Sequence, residues 1–313
     1  MRKKKWKINV DKLKICYLQP QHLWDYLQNF NTNDFINYDC FSLQIIDDGR
    51  GKDETNDKPR TKIKANVILD DGVLLGKFEF NNSAKYNGKC FFEFDNKALY
   101  TVANIYNGEK YNHLTTIDYI EQQLHLEKNN ITTVEIAMDM NFNIVKVVQE
   151  LVKNYKEYTM YLNGNIINDE SRKIENYGEY FSRSRKKRSL YPTLYLNQAK
   201  ENSPSIKMYN KQVEINEESG KEYIKEWNNM HGTMYRVEIT VKNEDFKKFL
   251  EVAGNEIDLW GEIDGSCVHL STEQYKHLLF IYITERMLYF KRKSGNKEYI
   301  TLNDIITEQG KSI

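Results

Sequence analysis

Two dipeptides constrain the fold more than anything else in the chain. Asp71-Gly72 separates the apolar runs 62–69 and 73–80, and Asn163-Gly164 separates 158–162 from 165–167. Asp-Gly and Asn-Gly supply the positive φ angles that a two-residue hairpin turn requires, so each pair of runs reads as antiparallel strands. Further strands read at 12–18, 88–94, 131–140, 193–197, 206–213 and 234–242. Helical spacing appears from Gln21 to about Phe30, and at 116–127, 144–156, 243–253 and 272–292. The order predicts an α+β fold: a mostly antiparallel central sheet with flanking helices and a helical C-terminal segment. The chain divides on this reading into an α+β body, residues 1–242, and a helical segment, residues 243–313.

Composition removes several function classes. Hydrophobic residues make up 40% and charged residues 29% of 313 positions, a balance that supports a sizeable core. Lys and Arg number 45 against 45 Asp and Glu, so a histone-like binder driven by overall charge is excluded, while a local basic groove is not. No apolar run reaches the length of a spanning helix, and no membrane partner is expected. The basic start, Arg2-Lys3-Lys4-Lys5, is followed by no apolar stretch and is not a secretory signal. The four cysteines form no C-x-x-C pair, which points to a reducing, cytoplasmic setting rather than to disulfides or structural zinc.

Four strands carry charge where a half-buried strand should be apolar. Glu93 interrupts the aromatic run Phe91-Phe92-Glu93-Phe94. Glu135 and Asp139 are four apart in Val134-Glu-Ile-Ala-Met-Asp-Met140 and share one face of a strand. Lys207, Tyr209 and Lys211 share a face of the next, and Arg236 and Glu238 of the last. Each strand alone reads as ordinary solvent-facing decoration of an antiparallel sheet. Brought together, the carboxylates would suit a hard divalent cation such as Mg2+ or Mn2+, and a tyrosine between lysines suits attack on phosphate.

The same segments resemble, in order, the motifs of rolling-circle plasmid replication initiators of the Rep-trans class. Ile206-Lys-Met-Tyr-Asn-Lys-Gln-Val-Glu214 is similar to that family's nicking-tyrosine strand, and Met234-Tyr-Arg-Val-Glu-Ile-Thr-Val-Lys242 to the aromatic-Arg-Val-Glu-Ile strand after it. Thr133-Val-Glu-Ile-Ala-Met-Asp-Met140 resembles the upstream acidic strand, and Cys90-Phe-Phe-Glu-Phe-Asp-Asn-Lys-Ala-Leu99 the element before that. Lys12-Leu-Lys-Ile-Cys-Tyr-Leu18 stands for the first strand. Two positions depart from the pattern. Thr193-Leu-Tyr-Leu-Asn-Gln-Ala199 lacks the glycine and arginine usual before the tyrosine strand, and Glu135 stands where the family has aspartate.

The resemblance implies an enzyme that binds a plasmid double-strand origin and nicks one strand through a 5′-phosphotyrosine link. Tyr209 is then the nucleophile, with Tyr195 as the substitute candidate. Lys211 and Arg236 become phosphate stabilisers, and Glu93, Glu135, Asp139 and Glu238 ligands of Mg2+ or Mn2+. A free tyrosine is only about 0.1% ionised at pH 7, so the site must favour the phenolate. No His-hydrophobic-His pair occurs, which favours an all-carboxylate metal site. Arg183, Arg185, Lys186, Lys187 and Arg188 form the densest basic cluster and, with Lys207, are the candidate DNA contacts. The implied partners are origin DNA, a host helicase and polymerase, and a second copy of the chain, with residues 243–313 serving origin choice and dimer contacts. A relaxase-like mobilisation or transposition nickase and a non-catalytic origin-binding regulator are the competing readings.

Overall fold

The computed structural model describes residues 5–49, 60–83, 85–86, 88–100, 105–106, 109–110, 113–167, 169, 193–196, 204–230, 232–256, 270, 272–295 and 299–311. The described chain is α+β, built on a large antiparallel sheet, as the hairpin signals predicted. Two compact units divide it, one of residues 1–10, 135–263 and 272–313, the other of residues 11–134 and 264–271. The strands β1 (Trp6–Leu18) and β9 (Glu127–Met140) each contribute residues to both.

In the second unit the strands run in the order β1-β6-β5-β4-β3-β2. They are β2 (Phe35–Asn37), β3 (Phe41–Asp47), β4 (Lys62–Leu69), β5 (Leu74–Asn81) and β6 (Lys89–Phe94). The hairpin forms around Asp71-Gly72 but as a three-residue connection, 70–72: Leu69 N donates to Val73 O at 2.9 Å, Gly72 alone of the pair has positive φ, 80°, and the Val73 amide donates to Asp71 Oδ1 at 3.0 Å. Phe78, Phe80, Phe92 and Phe94 fill the inner face, with Phe78 and Phe92 centroids 4.7 Å apart. Gly76 is required there, since a Cβ would sit 2.5 Å from Phe92 Cζ. A small ribbon, β7 (Ile105–Tyr106) and β8 (Glu109–Lys110), and the helices α1 (Gln21–Leu27), α2 (Asn96–Tyr100) and α3 (His113–Gln123) complete this unit. Strands β2 and β3 are not anticipated by the sequence reading.

In the first unit the order is β12-β13-β14-β9-β1, with β12 (Leu194–Leu196), β13 (Ser205–Asn210) and β14 (Tyr235–Lys242). Helix α4 (Ile144–Lys153) lies against β13 and β14. Its buried Ile144, Val145, Val148 and Val152 recur at helical spacing, and Asn143 caps its N-terminus through Lys146 N at 2.9 Å. After β13 the chain turns into α5 (Lys211–Glu214), a π-helical turn at Ile215–Ser219, and α6 (Tyr223–Asn228).

A second sheet of this unit has the order β11-β10-β15-β16: β10 (Tyr158–Leu162), β11 (Asn165–Ile167), β15 (Leu288–Arg292) and β16 (Tyr299–Thr301). Asn163 and Gly164 turn the first hairpin at φ 51° and 76°. The C-terminal part is therefore not purely helical. Between α7 (Asn243–Glu256), α8 (Glu273–Met287) and the last helix α9 (Leu302–Lys311), β15 and β16 intervene. The helix expected to run to 292 stops at Met287 because Leu288 and Phe290 alternate inward with Tyr289 and Lys291, a strand period that pairs with β10.

Candidate active site

The site is built on three neighbouring strands, β13, β14 and β9. In the β13–β14 register Lys207 lies opposite Glu238 and Tyr209 opposite Arg236. Directly opposed residues share a face, so these four side chains stand on one side of the sheet. Glu135 and Asp139 alternate onto a single face of β9.

The pairings are not those that register alone suggests. Arg236 turns to β9, where its Nε meets Asp139 Oδ1 at 2.6 Å and its Nη2 meets Oδ2 at 2.8 Å. Both side chains are 0% exposed. Asn228 of α6 adds a bond to Asp139 Oδ2 at 2.7 Å, Asn9 donates to Asn228 Oδ1 at 2.9 Å, and Trp227 Nε1 donates to Asn9 Oδ1 at 2.9 Å. Asp139 is thereby the counter-ion of a buried arginine, both oxygens engaged. Separating this buried pair would strand a charge away from water, so Arg236 and Asp139 are held to each other.

With Arg236 turned away, Tyr209 reaches diagonally. Its hydroxyl donates to Glu238 Oε2 at 3.0 Å, while Lys207 Nζ meets Glu238 Oε1 at 2.5 Å. Glu238 is 4% exposed, so these contacts occupy a carboxylate largely withdrawn from water. Carboxylate oxygens of Glu135 and Glu238 approach within 4.8 Å, and Thr240 donates to Glu135 Oε1 at 3.4 Å. The two acidic groups set the state of Lys207. Burial pulls its pKa down, but the charges of Glu238 and Glu135 and the bond to Glu238 outweigh this and raise it.

Lys211 departs from expectation. The strand ends at Asn210, whose Oδ1 accepts from Val213 N at 3.1 Å and starts α5, so Lys211 is helical and does not share the strand face with Lys207 and Tyr209. Its ammonium is 3% exposed, pairs with Glu214 at 2.6 Å and lies 5.6 Å from the Tyr209 ring centroid. Tyr195 stands opposite Lys207 on β12. Glu93 belongs to the second unit, where it pairs with Lys12 at 3.2 Å. Arg183, Arg185, Lys186, Lys187 and Arg188 lie outside the described residues.

Sequence reading did not single out Asn9, Trp227, Asn228 or Thr240. No local pattern marks Asn228 as the partner of a residue 89 positions away. The donor set fits a hard cation: two carboxylates converge, and an ammonium already stands against one of them. No helix among the described residues is long and apolar enough to cross a membrane.

No family model matches the sequence, and no curated protein matches it. Among solved structures, the rolling circle replication initiator protein from Geobacillus stearothermophilus is similar over 98% of this chain and 97% of that one, with a TM-score of 0.44 and 14% identity.

Proposed function

We propose that this chain is a rolling-circle replication initiator that binds a plasmid double-strand origin and nicks one strand with Tyr209. The observation that carries the reading is the Tyr209 hydroxyl bonded to Glu238, whose carboxylate lies within 4.8 Å of that of Glu135. In the reaction the phenol proton passes to Glu238 as the phenol oxygen attacks phosphorus. The bond from phosphorus to the 3′ oxygen breaks, and that oxygen leaves as a 3′-OH after taking up a proton. The 5′ phosphate stays on Tyr209. Joining is the reverse attack by a 3′-OH, with the tyrosine as leaving group.

Glu135 and Glu238 would hold Mg2+ or Mn2+, which when bound polarises the scissile phosphate. Lys207 neutralises Glu238 in its absence and is free to move to a phosphate oxygen. Lys211, beside the Tyr209 ring, offsets the charge developing on the phenol oxygen. Arg236 and Asp139 act as a clamp between β14 and β9, holding Glu238 near Glu135. The basic cluster from Arg183 to Arg188 follows the DNA backbone, and residues 243–313 serve origin choice and contacts with a second copy. The 3′-OH requires a polymerase and the displaced strand a helicase, both host partners in a cytoplasmic reaction.

The test is supercoiled plasmid carrying the element's own origin, incubated with protein and Mg2+ or Mn2+. Nicking, with a nucleotide left on the peptide containing Tyr209 after nuclease trimming, is the expected result. Tyr209→Phe should stay folded and bind the origin but neither nick nor form an adduct. Full nicking by that variant sinks the mechanism, and an adduct on Tyr195 moves the nucleophile. Binding without nicking by the wild type would instead support an origin-binding regulator.

A further inference from the structure

The second sheet of the first unit has one face covered and one face open among the described residues. Tyr158, Met160, Leu288 and Phe290 point inward and are buried, and α4 and α8 lie against β10. The other face carries a tier of rings in register. Tyr161 lies opposite Ile166 on one side and Tyr289 on the other, and Lys291 lies opposite Tyr299. Tyr161 and Tyr289 stack at 4.5 Å with 13° between planes, and Tyr289 meets Tyr299 edge-on at 5.5 Å. Lys291 Nζ lies 4.8 Å from the Tyr299 centroid and donates to its hydroxyl at 3.2 Å, a bond that raises the lysine pKa and keeps it charged.

Such a face is unusual for water. Ile166 is 65% and Tyr299 55% exposed, beside a stacked tyrosine pair, and the strand residues of that face include a lysine and no carboxylate. Rings held by their neighbours lose little freedom when a further flat group stacks on them. Every base has such a face, but duplex bases are already stacked, so only an unpaired strand can use it. Its phosphates are opposite in charge to Lys291. A second copy of the chain would bring lysine against lysine.

We propose that this open face of the β11-β10-β15-β16 sheet binds single-stranded DNA, with bases stacking on Tyr161, Tyr289 and Tyr299 and a phosphate on Lys291. It deepens the nicking reading, since a nicked and displaced strand is the unpaired DNA that such an enzyme produces. It stands apart from the chemistry of Tyr209.

The test measures binding of a fluorescein-labelled oligothymidylate by anisotropy, without divalent metal and in the Tyr209→Phe background, so that failure of nicking leaves it unaffected. The wild-type surface should bind the oligonucleotide in preference to a duplex of the same length. Tyr299→Ala and Tyr289→Ser should each weaken binding about tenfold, and Lys291→Glu more at low salt than at high. Tyr299→Ala, on an exposed edge strand, keeps the test open if Tyr289→Ser unfolds the sheet. Unchanged affinity in folded Tyr299→Ala, or a change in sedimentation with affinity intact, would each overturn the assignment.

Discussion

Tyr209 donates to Glu238 across 3.0 Å, although its directly opposed partner on β14 is Arg236. The diagonal contact exists because Arg236 is spent on Asp139. One buried ion pair thus decides which group faces the tyrosine.

Glu238→Gln removes the proton acceptor of Tyr209 and the counter-ion of Lys207 in one step. Nicking should fall by about 100-fold or more, the scale of lost general-base catalysis. Single-turnover nicking at saturating metal reads it out. A rate within a few-fold of wild type would mean Glu238 takes no proton.

Asp139→Ala removes the counter-ion of the buried Arg236 and should cost about 3–5 kcal/mol. Paired replacement, Asp139→Leu with Arg236→Met, should cost less than either single change, because no charge is then stranded. Thermal melting of the three variants decides. If the single change is silent in stability but weakens Mn2+ binding, Asp139 is a metal ligand and the clamp is wrong.

If Glu238 takes a cation as proposed, Lys207 competes for its carboxylate. Lys207→Met should tighten Mn2+ binding by about tenfold, the scale on which one adjacent charge shifts a carboxylate equilibrium. Glu135→Gln should weaken it. Mn2+ titration followed by electron paramagnetic resonance measures both, and weaker binding in Lys207→Met would show that the lysine supports the ion site.

The raised pKa of Lys207 also fixes a pH dependence. A group whose pKa is higher folded than unfolded stabilises the fold fully below its unfolded value, about 10.4 for lysine, and loses that contribution as pH rises through the folded value. The Tm difference between wild type and Lys207→Met should therefore be constant from neutral pH to about 9 and shrink only in stronger alkali. A difference that shrinks near pH 7 would place Lys207 outside the field of Glu238 and Glu135.

The hairpins were legible because a turn's chemistry is local: Asn163 and Gly164 both tolerate the positive φ they adopt, as does Gly72 after Asp71. Face-sharing on strands was legible for the same reason, and Glu135 with Asp139, and Arg236 with Glu238, do alternate as read. Lys211 was misplaced because its strand pattern continues past Asn210, while a single cap bond to Val213 starts a helix instead. The C-terminal strands were hidden by a helical run that continues apolar into Leu288.

What the sequence by itself determined is which residues share a face within β9, β14 and β13 as far as Asn210, since side-chain period is a property of a few consecutive residues. What the tertiary structure alone decided is how those charges pair. Two carboxylates on one face of β9 look equivalent from their spacing, yet one is sealed against Arg236 and Asn228, the latter held in turn by Asn9 and Trp227, and the other is left half-buried beside Glu238. Desolvation draws that distinction, and it depends on which segments, distant along the chain, close over each carboxylate.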